Sequence, residues 1–428
     1  MNIASNEARC TSCHAGYGWK DKNFDFSNEN KVDCLVCHDQ TGEYKKFPTS
    51  AGYPPAKDKK FGKKIFKKTN LTRTAQNVGR PERQNCGACH FYGGGGDGVK
   101  HGDLDSSLIE PSYELDVHMS AEGGNFACTR CHTTTNHKIS GRCYKTPAFT
   151  DRKSVLDSDM VKRISCVSCH TDSPHKTNKK LNDHTDKVSC QACHIPTFAR
   201  KNPTKMKWDW SKAGKLKNGK PYSIEDKKMK RHKYMSKKGE FIWGKNIVPE
   251  YFWFNGSMEY TLLTDKINPD KEVSLNRVLG DKNDKKSRIY PFKVHKAVQP
   301  YDKKNNKMVS VHLYGKDKTS YWKNFKWNPA IKTAMDYLEL PYSGEYGFVE
   351  TSYHFPITHM VAPGSKALDC SSCHGKNSRL ASLTGFYMPG RDRFELIDKS
   401  GWILVLMSLS IVFIHGFIRI FSSLKKEE

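Results

Sequence analysis

The sequence predicts a mainly α fold with much irregular structure, little side-chain core of its own and one C-terminal transmembrane helix. Three observations carry this expectation. Cys and His recur in one fixed spacing, the 428-residue chain is polar for its length, and an apolar run stands near its end.

Of the 15 cysteines, 14 fall in seven copies of Cys-x-x-Cys-His, and only Cys143 is left over. The copies are Cys10-Cys13-His14, Cys34-Cys37-His38, Cys86-Cys89-His90, Cys128-Cys131-His132, Cys166-Cys169-His170, Cys190-Cys193-His194 and Cys370-Cys373-His374. Two thiols three positions apart can add to the two vinyl groups of one haem, and the next residue then brings an imidazole to the iron. A disulfide framework has no need of a His after every second Cys, and neither do paired Cys-x-x-Cys zinc sites. The expected cofactor is therefore haem c, covalently attached seven times, with His14, His38, His90, His132, His170, His194 and His374 as proximal ligands. The chain reads as a multihaem c-type cytochrome with a haem-packed core.

Haem also accounts for the composition. Hydrophobic residues make up only 36% of the chain and the mean hydropathy is −0.73. Large apolar macrocycles packed on short helices supply the buried surface that side chains lack, so regular secondary structure should be modest. The formal charge is +26; two propionates on each of seven haems would lower it to about +12. The remaining field attracts small anions, and there is no recognised nucleic-acid motif.

Residues 402–421 read WILVLMSLSIVFIHGFIRIF, enough for a helix of about 30 Å. A transmembrane helix is expected at 401–422, with Arg419 snorkelling, His415 a tolerated intramembrane residue, and a cytoplasmic tail at 423–428 carrying Lys425 and Lys426. Haem is attached in this way outside the bacterial cytoplasmic membrane, which places the bulk of the chain at the periplasmic face. Met1 is followed by NIASNEARC, without a basic segment or an apolar stretch, so a preceding N-terminal segment is expected.

Six motifs define a multihaem region at 1–200, residues 201–350 form a haem-free α+β insert packed on it, and 351–400 is a return segment with the seventh haem. Within the insert, Asn255-Gly256 between two apolar runs predicts a two-residue hairpin. The Lys-rich stretch from Lys227 to Lys238 reads as a solvated surface loop. CTRCHTTTNH and CVSCHTDSPH, from Cys128 and Cys166, each place a second His five residues after the first. So short a link does not reach the opposite face of its own haem, about 10 Å across, so His137 and His175 are read as bridging to neighbouring haems.

Of 18 His, 11 lie outside the motifs. His101, His118, His137, His175, His184, His295 and His359 are the expected distal metal ligands. One region breaks the pattern. HFYGGGGDGVKHGDLD, residues 90–105, lets the backbone approach a haem closely and brings Asp97 and Lys100 into reach of one pocket. A mobile glycine loop is the plainer alternative, and no Gly-Lys-Ser/Thr follows to make a P-loop. Cys143 reads as a buried small residue, a disulfide partner or a reactive thiol.

These residues resemble the octahaem tetrathionate reductase family. The resemblance runs through CTSCHAGYGWKD, CLVCHDQTGEYKKFP, CHFYGGGGDGVKHGDLDSS, CHIPTFAR, NIVPEYFWFNG, PFKVHKAVQPYD, PYSGEYGFVET and LTGFYMPGR. It implies eight haems in the full pattern, with one further motif ahead of these seven. It also implies an active haem at Cys10-Cys13-His14, with the amine of Lys100 on its iron and Asp97 beside it as catalytic residues. The amine ligates only when neutral and is displaceable. The implied activity is reduction of a small inorganic substrate such as tetrathionate, nitrite or hydroxylamine, with electrons from a partner cytochrome or quinol-linked donor. A membrane-anchored electron-transfer cytochrome without its own substrate is the alternative, and hydroxylamine oxidation a third reading.

Overall fold

Strands organise the middle of the chain. This corrects the expectation of a mainly α fold, because only about 25% of the structure, a computed structural model, is helical. The structure describes residues 13–21, 23–48, 50–61, 64–135, 137–141, 165–315 and 317–424, and Cys10, Cys143, Lys425 and Lys426 lie outside them. The physical reason for the correction is local. Buried Gly239 and Phe241 alternate with exposed Glu240 and Ile242, and Val349 and Thr351 are buried on either side of exposed Glu350. Period-two burial with aromatic and β-branched residues favours extended backbone, so residues 201–350, which carry no Cys-x-x-Cys-His motif, build a core from their own side chains.

Nine strands form one sheet: β1 (Thr204–Asp209), β2 (Ser223–Asp226), β3 (Arg231–Met235), β4 (Gly239–Gly244), β5 (Glu250–Phe254), β6 (Val273–Ser274), β7 (Arg288–Asp302), β8 (Lys307–Met308) and β9 (Tyr346–Pro356). Their order is β6-β9-β7-β1-β4-β3-β2, with β5 and β8 also on β7. The 15-residue β7 is the spine, antiparallel to β9 and parallel to β1. Its register sets Lys293 beside Phe355 and His295 beside Tyr353. Lys293 and His295, two apart, leave the strand on one face.

Among the described residues three helices have eight residues or more: α1 (Arg83–His90), α2 (Trp327–Tyr337) and α3 (Glu395–Leu424). Buried Trp327, Ala330, Ile331, Ala334 and Met335 follow helical spacing along one face of α2. That face packs with Val309, Val311, Leu313 and Tyr321 into one of the cores.

Two local expectations change. Asn255-Gly256 does turn the chain, with Gly256 at φ +91°, but the flanking runs pair elsewhere: β5 joins β7, and Ser257–Tyr260 joins Asn276–Leu279. The turn links two sheets because each run finds a longer-range partner. The Lys227–Lys238 stretch is a turn, then β3, then a second turn, and Tyr234 in the strand and Ser236 after it are buried between exposed Lys233 and Lys237.

The chain divides into two compact units, Met1–Leu368 and Asp369–Glu428. The first holds six motifs and the nine-stranded sheet. In the second, Arg391 donates to the carbonyls of Leu380, Leu383 and Phe386 and so closes the turns after His374. α3 follows, 30 residues long and apolar enough to cross a membrane. Its Ser408 and Ser410 hydroxyls return to the carbonyls of Leu404 and Leu406, which removes their need for water.

Candidate haem sites

The motif spacing has a direct structural meaning. Positions i, i+3 and i+4 share one face of a helical turn, and the motifs at Cys34, Cys86, Cys128, Cys166 and Cys190 each form one. The turn is closed by the histidine itself: the amides of His38, His132, His170 and His374 donate to the carbonyls of Cys34, Cys128, Cys166 and Cys370 at 2.8–3.0 Å. Both sulfurs and the imidazole therefore leave the backbone together.

Motifs touch one another through their cysteines. The thiols of Cys13 and Cys89, of Cys86 and Cys128, and of Cys166 and Cys190 are hydrogen-bonded pairs, and Cys131 lies near Cys169. These thiols stand in for the thioether sulfurs of attached haem, so their adjacency matters and their acidity does not. The first, third, fourth, fifth and sixth motifs are thus arranged in series, and Cys37 brings the second close to the third.

Among the described residues, four motif imidazoles face a histidine from elsewhere in the chain. Ring centres are 6.3 Å apart for His38 and His137, 5.9 Å for His170 and His118, 6.3 Å for His132 and His359, and 6.2 Å for His194 and His175. Two iron–nitrogen bonds of about 2 Å, plus about 1 Å from each nitrogen to its ring centre, sum to roughly 6 Å. The residues present therefore fit haem iron. His137 and His175 oppose the histidines of other motifs, and neither opposes that of its own segment.

Outer bonds fix the imidazoles for this task. Nδ1 of His38, His132 and His374 donates to the carbonyls of Gly79, Ser140 and Pro389 at 2.8, 3.0 and 3.0 Å. Nδ1 of His175, His184 and His295 meets Asn182 Oδ1, Lys180 O and Lys205 O. A carbonyl can only accept, so each ring keeps its proton on Nδ1 and offers Nε2 to a metal. Burial lowers the pKa of His101 and of His295 to about 4, favouring the neutral, ligating form. His101 lies edge-on to Phe355 at 5.2 Å.

His359 differs, since its Nδ1 lies 3.2 Å from the carboxylate of Asp103, which is 1% exposed. Burial disfavours charge on both groups, but their pairing prevails: the carboxyl is held at about 2 and the imidazole is raised. Outside the expected set, His312 spends Nε2 on Asp317 at 2.9 Å.

The loop at 90–105 is braced. Gly94, Gly95 and Gly98 have φ of +77°, +93° and +67°, which glycine adopts without strain. Asp97 accepts from the Ser106 amide and hydroxyl at 2.8 and 2.6 Å and from Asn202 at 3.2 Å, while its carbonyl accepts from Arg231. Both carboxylate oxygens thus tie the loop shut. Three residues on, the Lys100 amine lies 5.7 Å over the ring of Phe355; burial first, with a smaller contribution from the Lys100 cation, opposes protonation of His90 and His101.

On the side of the first motif, His14 packs edge-on to Trp19, Phe24 and Phe26 at 5.2–6.0 Å. Burial and then the Lys46 ammonium lower its pKa. Lys46 donates to the carbonyls of His14 and Gly16, both at 2.7 Å, and pairs with buried Asp33, whose carboxylate also accepts from Tyr44. Reasoning from the sequence missed Lys46, Asp103 and Lys293. For Lys293 a signal existed, a lysine inside the apolar run PFKVH, where the strand period points it inward.

A family model described as outer membrane cytochrome MtrC/MtrF-like, domains II/IV, matches residues 2–173, and one described as cytochrome c bacterial matches 205–377. The crystal structure of an octahaem cytochrome c from Shewanella oneidensis is similar, with 46% identity, a TM-score of 0.76, and coverage of 88% of this chain and 80% of that one. An uncharacterised protein from Archaeoglobus fulgidus is 28% identical over 146 residues, 30% of this chain and 46% of that protein. The chain spans less than half of that relative's length. Cysteine turns, facing imidazoles and long shared sequence agree: the chain belongs to the octahaem cytochrome c family of multihaem c-type cytochromes.

Proposed function

We propose that this protein reduces small inorganic sulfur or nitrogen compounds, tetrathionate, nitrite or hydroxylamine, at the iron held by His14, with the Lys100 amine as a displaceable ligand. Seven haems attach to this chain, which is anchored at the periplasmic face by α3 and receives electrons from a partner cytochrome or quinol-linked donor. Haem c, when bound, supplies one-electron storage at each motif. The chain's own residues do the rest.

The observation that carries this reading is the contact between Cys13 and Cys89. It sets the first motif against the third, and the braced loop leads from His90 to Lys100 in ten residues. The four facing histidine pairs would each hold a haem with two imidazoles. Lys100 brings an amine that yields to a substrate and then stands beside it as a cation and proton donor. Asp97 serves through the loop that it ties. Tetrathionate takes up two electrons and breaks its central S–S bond to give two thiosulfates, so the site must stabilise added negative charge, and Lys100 suits that need.

The four histidine pairs by themselves also suit an electron carrier without a substrate. EPR and reduced-minus-oxidised spectra of the purified protein separate the two readings. The reductase shows one haem that is not bis-His, altered in Lys100→Ala, together with turnover of one of the three compounds. A uniform bis-His set unchanged by Lys100→Ala, with no turnover, leaves the carrier.

A further inference from the structure

Lys293 has no exposed surface, and a lysine is seldom buried so completely without partners for its ammonium. Its three donors meet the carbonyls of Val99 at 3.0 Å and Lys100 at 2.8 Å and the hydroxyl of Thr204 at 2.5 Å. Thr204, equally buried, donates onward to the carbonyl of Gly98 at 2.7 Å. Three consecutive carbonyls, 98 to 100, are therefore gripped from β7 and β1.

The side chain of Lys100 is guided from the same place. Phe355 pairs with Lys293 across β7 and β9, and the amines of Lys100 and Lys293 each lie 5.7 Å from its ring centre. Backbone bonds fix where Lys100 starts, and the aromatic face lines the path of its side chain. An ammonium suits the first task because it presents three donors at one point, where an amide presents two and a thioether none.

We propose that Lys293 is the positioning residue of Lys100, holding the glycine loop so that the Lys100 amine is presented to iron. The inference rests on the reading of Lys100 as a displaceable ligand. A lysine that only filled the core would be replaced by Met without a selective change at one haem.

The test compares purified holoprotein carrying Lys293→Met, Lys293→Gln, Thr204→Val or Lys100→Ala by EPR and by amide hydrogen exchange. Lys293→Met is expected to lose most of the Lys100-dependent signal, leave the bis-His signals in place and speed exchange at residues 98–101. Lys293→Gln, with two donors kept, restores part of the signal. Thr204→Val, which keeps the ammonium, shifts it in the same direction and serves if Lys293→Met does not fold. Retention of the signal in Lys293→Met, or equal disturbance of every haem, overturns the proposal while the reading of Lys100 stands. If Lys100→Ala itself changes no haem, both fall.

Discussion

Asp103 holds His359 from a distance of 256 residues along the chain, with a carboxylate oxygen 3.2 Å from Nδ1. The same oxygen accepts the amides of Thr358 and His359 at 2.8 and 3.0 Å. Nδ1 of His38, His132 and His175 meets a neutral acceptor instead, so His359 is the more electron-rich imidazole among them. A richer donor favours ferric iron.

Asp103→Asn keeps an acceptor and removes the charge. The potential of the haem between His132 and His359 is expected to rise by on the order of 60 mV, a tenfold change in a one-electron equilibrium. Spectroelectrochemical titration of the variant against the parent measures it, and an unchanged set of potentials would contradict the assignment.

The pairing of His137 with His38 makes a specific claim about coupling. His137→Ala is expected to produce one high-spin haem. The effect should be non-additive with His38→Ala and additive with His132→Ala, the substitution in its own segment. EPR spin quantitation of the single and double variants checks both arms.

Lys46 and Asp33 form a buried ion pair at 3.2 Å, each side chain 2% exposed. Lys46→Met leaves the carboxylate unpaired in the interior, which costs about 3–5 kcal/mol. It also releases the carbonyls of His14 and Gly16. Urea unfolding followed by circular dichroism should show the loss, and Lys46→Met combined with Asp33→Leu should recover part of it.

Stability in acid has an identifiable source in the sheet. Asp302, fully buried by surface area, accepts from Asn305 and from the amide and hydroxyl of Ser343. Burial pushes its carboxyl up, and these bonds pull it further down, so its pKa is lowered overall. A depressed carboxyl contributes stability above its unfolded value near 4 and loses it as pH falls through the folded value. Asp302→Asn is therefore expected to cost about 1–3 kcal/mol at pH 7, with the gap to the parent closing below about pH 4. Thermal melting at both pH values decides it.

Residues 395–424 form one apolar helix whose side chains are largely exposed. A chain ending at residue 394 is expected to leave the membrane fraction with its haem spectrum intact. Fractionation followed by haem staining tests this, and retention in the membrane would assign the anchoring elsewhere.

The cofactor was legible because its attachment chemistry is local. Cys-x-x-Cys-His already puts two sulfurs and an imidazole on one face of a turn, and the apolar run ending at Phe421 already sets the length of a helix. What faces each imidazole was not legible. His118, His137, His175 and His359 reach their partners from segments that only folding brings together, and nothing in their neighbours' identity names the partner. The strands were present in the alternation around Phe241 and Val349, yet a short alternating run acquires its conformation from the neighbours that cover it. Sequence alone thus determined the cofactor. The tertiary structure decided which histidines face each other, how the loop bearing Lys100 is held, and that a sheet rather than a helical scaffold holds it, because hydrogen bonds between β1, β7 and β9 join residues far apart in the chain.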